Sequence, residues 1–359
     1  MNRLLQIITC NKYHPRSKDY SRQPTPYISP HNSHDTTKLP SENQALEIFG
    51  YTLEGSGPGK HECQDTYCIL HQVTPHTSFF GVYDGHGLKG KEVSVFVNNR
   101  LARTIKGEAH NLDRMIAANT IQHFLKKAYT TTDDKLKHSK TDTYQSGTCC
   151  ITALVSKDRC YIANLGDSRA VLCKQSADGG YKALDLTSDQ TPNRPDEKAR
   201  ILKKGGLVEP SYFEGVPIGP LRVWTSTREA GLMMTRAMGD ARGKKAGLIA
   251  EPEVHEIILH SGDRFIILAS DGLWDVMSSQ EAVDLVVMLL ETGQQRKDIP
   301  RLVAREAEKK WEKLDEEEDP ENHNDPYCDD ITVLIAWINS GPTNPITETL
   351  PSSVGGSQR

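Results

Sequence analysis

The sequence predicts a layered domain of helices and antiparallel strands, and three observations carry that reading. Stretches with apolar residues every three to four positions alternate with groups of short β-branched and aromatic runs, so helices and strands come in blocks. The runs 148–156, 159–164 and 169–174 are joined only by Lys157-Asp158 and by Leu165-Gly166-Asp167-Ser168. Such connections are too short for a parallel crossover, so these runs read as antiparallel neighbours. Two further runs, 78–83 and 264–269, break abruptly into Asp84-Gly85 and, through Ser270, into Asp271-Gly272. Each Asp therefore falls where a strand stops and the backbone opens to solvent.

Taken in order, residues 1–45 are rich in Pro, Ser, His, Asn and Thr with almost no apolar periodicity, the composition of a disordered or loosely packed extension. From Ile48 the pattern changes. A run at 51–54, a turn with Gly55, Gly57, Pro58 and Gly59, and then Asp65 lead into a strand at 66–70, which the run 78–83 follows closely enough for hairpin-like pairing. After Gly87 the period lengthens, with Val93, Val97, Leu101 and Ile105 on one helical face, and a second helix is expected over about 112–138. Beyond the three short strands, 192–204 reads as a loop passing into a short helix closed by Gly205-Gly206. Residues 207–230 show no clear period and read as a mobile segment over a site. The strand 264–269, helices over 279–292 and 299–314, an acidic solvated loop at 315–325 and a strand at 331–337 complete the pattern, before a Ser/Pro/Thr/Gly tail.

Composition narrows the function. The 359 residues, 36% hydrophobic and 25% charged, suit one large domain or two small ones with a sizeable core. A net charge of −5 gives no reason to expect a nucleic-acid surface, whereas acidic clusters attract cations. The eight cysteines form no C-x-x-C pair and read as reduced thiols, which fits a cytoplasmic or nuclear home. The apolar stretch 4–9 is too short for a membrane span and lacks the marks of a signal peptide, and Cys10 reads as incidental rather than lipidated.

Four carboxylates sit at strand ends: Asp65 before a strand, Asp84 and Asp271 after one, Asp329 before one. In an antiparallel sheet the end of one strand adjoins the start of its neighbour, so two positions before and two after can share one rim. Converging carboxylates repel unless a cation sits between them. All-oxygen ligation points to Mg²⁺ or Mn²⁺.

The motifs at these positions resemble the metal-dependent serine/threonine protein phosphatases of type 2C, the PPM family. The matching pieces stand in order: Gln64-Asp65 with Lys60 upstream; Val82-Tyr83-Asp84-Gly85-His86-Gly87; Ser146-Gly147-Thr148; Asn164 to Arg169; Leu186 to Asp189 with Pro192, Glu197 and Arg200-Ile201; Met234 to Asp240; Ala269 to Asp275; and Asp329 to Val333. The resemblance covers roughly Gly50 to Trp337 and implies an α+β fold, a four-layer α-β-β-α sandwich with two central antiparallel sheets and a binuclear metal site at one end. It also implies a catalytic domain over 46–338 between the extension and the tail of 339–359.

By the same resemblance, Asp84 bridges two Mg²⁺ or Mn²⁺ ions, the Gly85 carbonyl ligates one and Asp271 and Asp329 ligate the other. Asp65 holds water from outside that ligand set, and Asp167 lies where some members place a third-metal ligand. Water between the ions attacks the phosphate of a protein phosphoserine or phosphothreonine, His86 protonates the leaving alkoxide, and Lys60 contacts the phosphate. The partners implied are phosphorylated proteins, and the chain is expected to act as a monomer.

Three departures stand out. Lys60 occupies a place often held by Arg, which replaces a bidentate fork by a point charge. Gln64 stands where Glu is frequent, removing a negative charge beside the metals, and Gln190 stands where His is common. Some residues have a second reading. Asp167 could cap its turn and pair with Arg169; Arg236 and Asp240 suit a buried ion pair or turn contact; Thr148 and Thr235 suit strand positions; His86, between glycines, could simply be exposed. Two rival functions remain: a catalytically impaired scaffold of the same fold, which retention of Asp84, Asp271 and Asp329 argues against, and a hydrolase of small phosphate esters, which would share the metal site and differ only in the access groove.

Overall fold

A computed structural model describes residues 46–57, 62–318 and 327–338. Lys60, the 1–45 extension, the tail from 339 and the 319–325 part of the acidic stretch lie outside the described residues. Strands β1 (Glu47–Leu53), β2 (Thr66–Thr74) and β3 (Thr77–His86) precede helices α1 (Gly90–Gly107), α2 (Ala109–Ala117) and α3 (Ile121–Lys137). Strands β4 (Gly147–Ser156), β5 (Arg159–Leu165), β6 (Arg169–Gln175) and β7 (Tyr181–Asp185) follow, then α4 (Pro195–Lys203). Next come β8 (Leu207–Phe213), β9 (Val216–Trp224), β10 (Ala230–Leu232), the short β11 (Met238–Gly239) and α5 (Ala241–Lys245). The remaining elements are β12 (Glu253–Ile258), β13 (Asp263–Ala269), α6 (Asp271–Trp274), α7 (Ser279–Glu291), α8 (Ile299–Glu318) and β14 (Ile331–Trp337).

Two sheets form the centre. One has the order β1-β14-β13-β6-β7; the other runs β12-β5-β4-β3-β2, with β11 added beside β4. All named strands pair antiparallel. Three apolar slabs set the layers, and a further cluster around Ile201, Val223 and Leu248 joins α4 to the strands β8–β10. Phe80, Val82, Ile151, Ile266, Leu268 and Leu334 fill the space between the sheets. Phe265, Ile267, Val333 and Ile335 pack outward against Val283, Val286, Val303 and Trp311 of α7 and α8. On the other side Tyr83, Cys150 and Leu165 pack against Val93, Val97 and Leu101 of α1 and Tyr129 of α3. The result is the expected four-layer α-β-β-α sandwich. Because both faces of β13 are covered, its sequence Phe265 to Ala269 is apolar without alternation.

Several local expectations change. The helix expected over 112–138 is two helices, because Asn119 takes a left-handed φ of 55° and stops α2. Strands β4 and β5 do pair, but β5 and β6 belong to different sheets, so the turn 166–168 carries the chain across the sandwich instead of closing a hairpin. A short connection excludes a parallel neighbour; it does not oblige the two strands to share a sheet. The segment 207–230 is no irregular cover but a three-stranded sheet in the order β10-β9-β8. Its β8–β9 turn has positive φ at both Glu214 and Gly215, 49° and 83°, the backbone of a tight primed hairpin turn. Periodicity is lost there because Pro210 falls where the pairing register shifts, and Pro217, Gly219 and Pro220 interrupt β9. Helix α8 also continues into the acidic stretch, to Glu318.

Candidate active site

Strand register brings the four strand-end carboxylates to one rim. Thr66 pairs with Tyr83, so Asp65 and Asp84 are adjacent, and Ala269 pairs with Val333, so Asp271 and Asp329 leave neighbouring strands at the same end. The rim is tied from several directions. Ser270 Oγ donates to Asp65 Oδ2 at 2.8 Å, and the two Asp330 carboxylate oxygens accept from the Gly55 and Gln64 backbone N–H groups, both at 2.8 Å. Thr148 Oγ1 donates to the Asp84 carbonyl at 2.9 Å.

At the centre, single carboxylate oxygens of Asp84, Asp167 and Asp271 all lie within 4.8 Å of one another. Asp84 comes from the end of β3, Asp271 from the start of α6, and Asp167 from the turn that crosses between the sheets. Asp329 lies outside this trio, although its charge acts on Asp65, Asp84 and Asp271. Burial first, and then the charges of Asp271, Asp65, Asp167 and Asp329, push the Asp84 carboxyl well above the usual range. Asp271 is raised in the same way, by burial and then by Asp167, Asp329 and Asp275. Burial and the Asp330 charge lift Asp65 to about 7 against hydrogen bonds from Thr332 and Ser270, and burial lifts Asp167 to about 6.

This donor set fits a hard divalent cation. It is all oxygen and convergent, and among the described residues no Lys or Arg forms an ion pair with the trio. A second acidic group, Asp196, Glu197 and Glu253, does not fit, because Arg194, Arg200 and Arg236 already occupy its oxygens.

His86 ends β3 two residues beyond Asp84. Its Nε2 lies 2.7 Å from Asp240 Oδ2, while Nδ1 is buried with no hydrogen-bond partner. Burial disfavours the charged ring, but Asp240 beside it and Asp167 further off outweigh burial and raise the His86 pKa above its ordinary value. Gly85 is buried in the β3–β4 ladder opposite Thr148, and a Cβ on it would come within 2.5 Å of the Gly90 carbonyl oxygen.

The residues with two readings now have positions. Arg169 pairs with Asp189, not Asp167, while Asp167 Oδ1 accepts from Cys149 Sγ at 3.1 Å and joins the trio. Arg236 makes a buried ion pair with Glu197, and Thr235 donates to the Gln190 carbonyl at 2.8 Å. Gln190 accepts from Gly166 N–H at 2.7 Å and donates to the Asn164 carbonyl, so it holds the turn that carries Asp167. Gln64 donates through Nε2 to the Gly87 carbonyl at 2.8 Å, a bond that a carboxylate could not make. Sequence reasoning missed the pairing of Asp240 with His86. The two residues are 154 apart and no spacing links them, although both stand in quoted motifs.

Sandwich and acidic rim together define a class of fold, two packed antiparallel sheets with a candidate cation site at one end. The protein phosphatase 2C family model matches residues 53–311, and the chain belongs to that family. It is 35% identical over 283 residues to probable protein phosphatase 2C 73 of Arabidopsis thaliana, covering 73% of this chain and 71% of that one. It is 34% identical over 320 residues to probable protein phosphatase 2C 35 of the same plant, covering 84% and 86%. Among solved structures, serine-threonine phosphatase 2C from Toxoplasma gondii superposes with a TM-score of 0.66 at 22% identity, over 84% of this chain and 98% of that one. A bacterial serine phosphatase superposes with a TM-score of 0.56 at 20% identity, over 83% and 99%. At these identities the superpositions speak for the fold alone.

Proposed function

We propose that this chain hydrolyses phosphoserine and phosphothreonine in proteins with two divalent cations, Mg²⁺ or Mn²⁺, held by Asp84, the Gly85 carbonyl, Asp271 and Asp329. Asp65 orients water at the rim, and Asp167 is the residue for a third ion. The observation that carries this reading is the convergence of Asp84, Asp167 and Asp271 within 4.8 Å on the strand end that also carries His86. When bound, the cations acidify water and offset the charge of the substrate phosphate. His86 donates a proton to the departing serine or threonine oxygen, a poor leaving group as an alkoxide. Lys60 attracts the phosphate as a point charge. The catalytic unit is proposed to span 46–338, with strands β1 and β14 pairing its two ends. It acts as a monomer in the cytoplasm or nucleus, a setting supported by the seven free cysteines among the described residues.

The test is hydrolysis of a phosphothreonine peptide by the purified chain. Activity is expected with Mn²⁺ or Mg²⁺ and none in EDTA, and turnover that survives chelation overturns the reading. Asp84→Asn and Asp271→Asn should each lower kcat by at least about 1000-fold, ~4 kcal/mol of barrier, with the thermal midpoint kept within a few degrees. A smaller loss removes that residue from the ligand set.

A further inference from the structure

We propose that Asp240 is a positioning residue for His86, and that Gly147 is the gap through which the two side chains meet. The inference rests on the reading of His86 as the proton donor.

The register places them. In the ladder, His86 of β3 stands opposite Gly147 on one side of β4, and Gly239 of β11 stands opposite Gly147 on the other. His86 and Asp240 therefore leave the two neighbours of β4 and must reach across it, a backbone separation of about 10 Å for two strand spacings. They close that distance over the one residue of β4 without a side chain. A Cβ on Gly147 would lie 2.0 Å from Asp240 Oδ2 and 2.7 Å from His86 Nε2.

Asp240 is built to reach back. Its backbone is left-handed, φ 46° and ψ 54°, its N–H donates to the Ser146 carbonyl at 3.0 Å, and its own carbonyl accepts from Lys244 N–H at 2.9 Å. The carboxylate is 2% exposed, and at 2.7 Å from Nε2 it is in the charge-assisted range. A buried carboxylate needs a donor, and here the donor is the imidazole. With Nε2 committed to Asp240, the ring orientation is held from one side, and Nδ1 is the nitrogen left without a protein partner. In the transfer the Nδ1–H bond breaks and an O–H bond forms on the leaving serine or threonine oxygen. The ring is left neutral, with Nε2–H still on Asp240, and regains a proton from solvent water.

The experiment compares kcat on a phosphothreonine peptide with kcat on p-nitrophenyl phosphate, whose leaving group needs no proton. Asp240→Gly removes the carboxylate at a φ that glycine adopts freely, and Asp240→Asn keeps an acceptor oxygen for Nε2–H. The inference expects Asp240→Gly to lower peptide kcat at least tenfold more than aryl phosphate kcat, with KM on each within twofold and Asp240→Asn intermediate. In a His86→Ala background Asp240→Gly should add less than twofold. A low-field imidazole N–H resonance, seen by NMR in the cation-free wild type, should vanish in Asp240→Gly. Equal losses on both substrates, losses that multiply with those of His86→Ala, or no low-field resonance in the wild type overturns the inference. Should Asp240→Gly not fold, Asp240→Asn is judged by the same substrate ratio and the same resonance. His86→Ala alone reports on the underlying reading. Equal slowing of both substrates by that change ends the general-acid role and the inference with it, whereas a selective His86→Ala beside an unselective Asp240→Gly sinks the inference alone.

Discussion

Gln64 shows how a single side chain can depart from its family pattern and be used where it stands. The sequence marks it as a lost negative charge beside the carboxylates. In the fold its amide donates to the Gly87 carbonyl, its backbone N–H donates to Asp330, and its carbonyl accepts from Ser94 Oγ at 2.6 Å. Gln64→Glu would set a carboxylate oxygen against that Gly87 carbonyl and add charge to a rim already crowded with Asp. It should destabilise the cation-free protein by about 1–2 kcal/mol, measured by urea unfolding in EDTA. No change in midpoint would mean that the amide is replaced without cost. Asp84 and Asp271 were legible one residue at a time, because strand-end Asp-Gly pairs are visible in a linear string. The partners Asp240 for His86 and Gln190 for the Asp167 turn were not, because their identity depends on which strands lie side by side.

At the scale of elements, what the sequence showed tracks how completely an element is buried. Helices with one apolar stripe and strands with both faces covered were visible as patterns. Edge strands β7 and β12 were not, because they are only partly buried and mix charged with apolar residues. The β8–β9 hairpin was hidden by its prolines. Helix α4, beneath it, is pinned by Glu197, which is 1% exposed and bonded to Arg200, Arg236 and Thr235. Burial opposes ionisation of Glu197, but these donors hold its pKa down to about 2. A carboxyl depressed from its ordinary 4.5 contributes stability fully above that value and loses it as pH falls towards 2. Between pH 5 and pH 3 the wild type should therefore lose more stability than Glu197→Gln, measured by urea midpoints at each pH. Parallel pH profiles for the two proteins would remove Glu197 from the account of acid sensitivity.

Over the whole molecule, layering was legible in outline and the division into two sheets was not. Strand direction follows from connection length, but which sheet a strand joins is decided by contacts across the core, as the passage from β5 to β6 shows. That passage also decides where the acidic trio sits. Asp84 belongs to one sheet, Asp271 follows a strand of the other, and Asp167 lies on the turn between them. The three carboxylates therefore meet in a seam at one end of the sandwich, where each one that ionises repels the others. Opening fluctuations should begin at that seam. Amide hydrogen exchange in cation-free protein should be fastest, among the strand ends, at 84–86 and 269–272, and Mn²⁺ should slow it at least tenfold there while leaving the far ends of the same strands unchanged. Uniform protection along the strands would show that the rim does not move independently of the core. Under the proposed function these three carboxylates make the rim a clasp that a bound cation would hold shut.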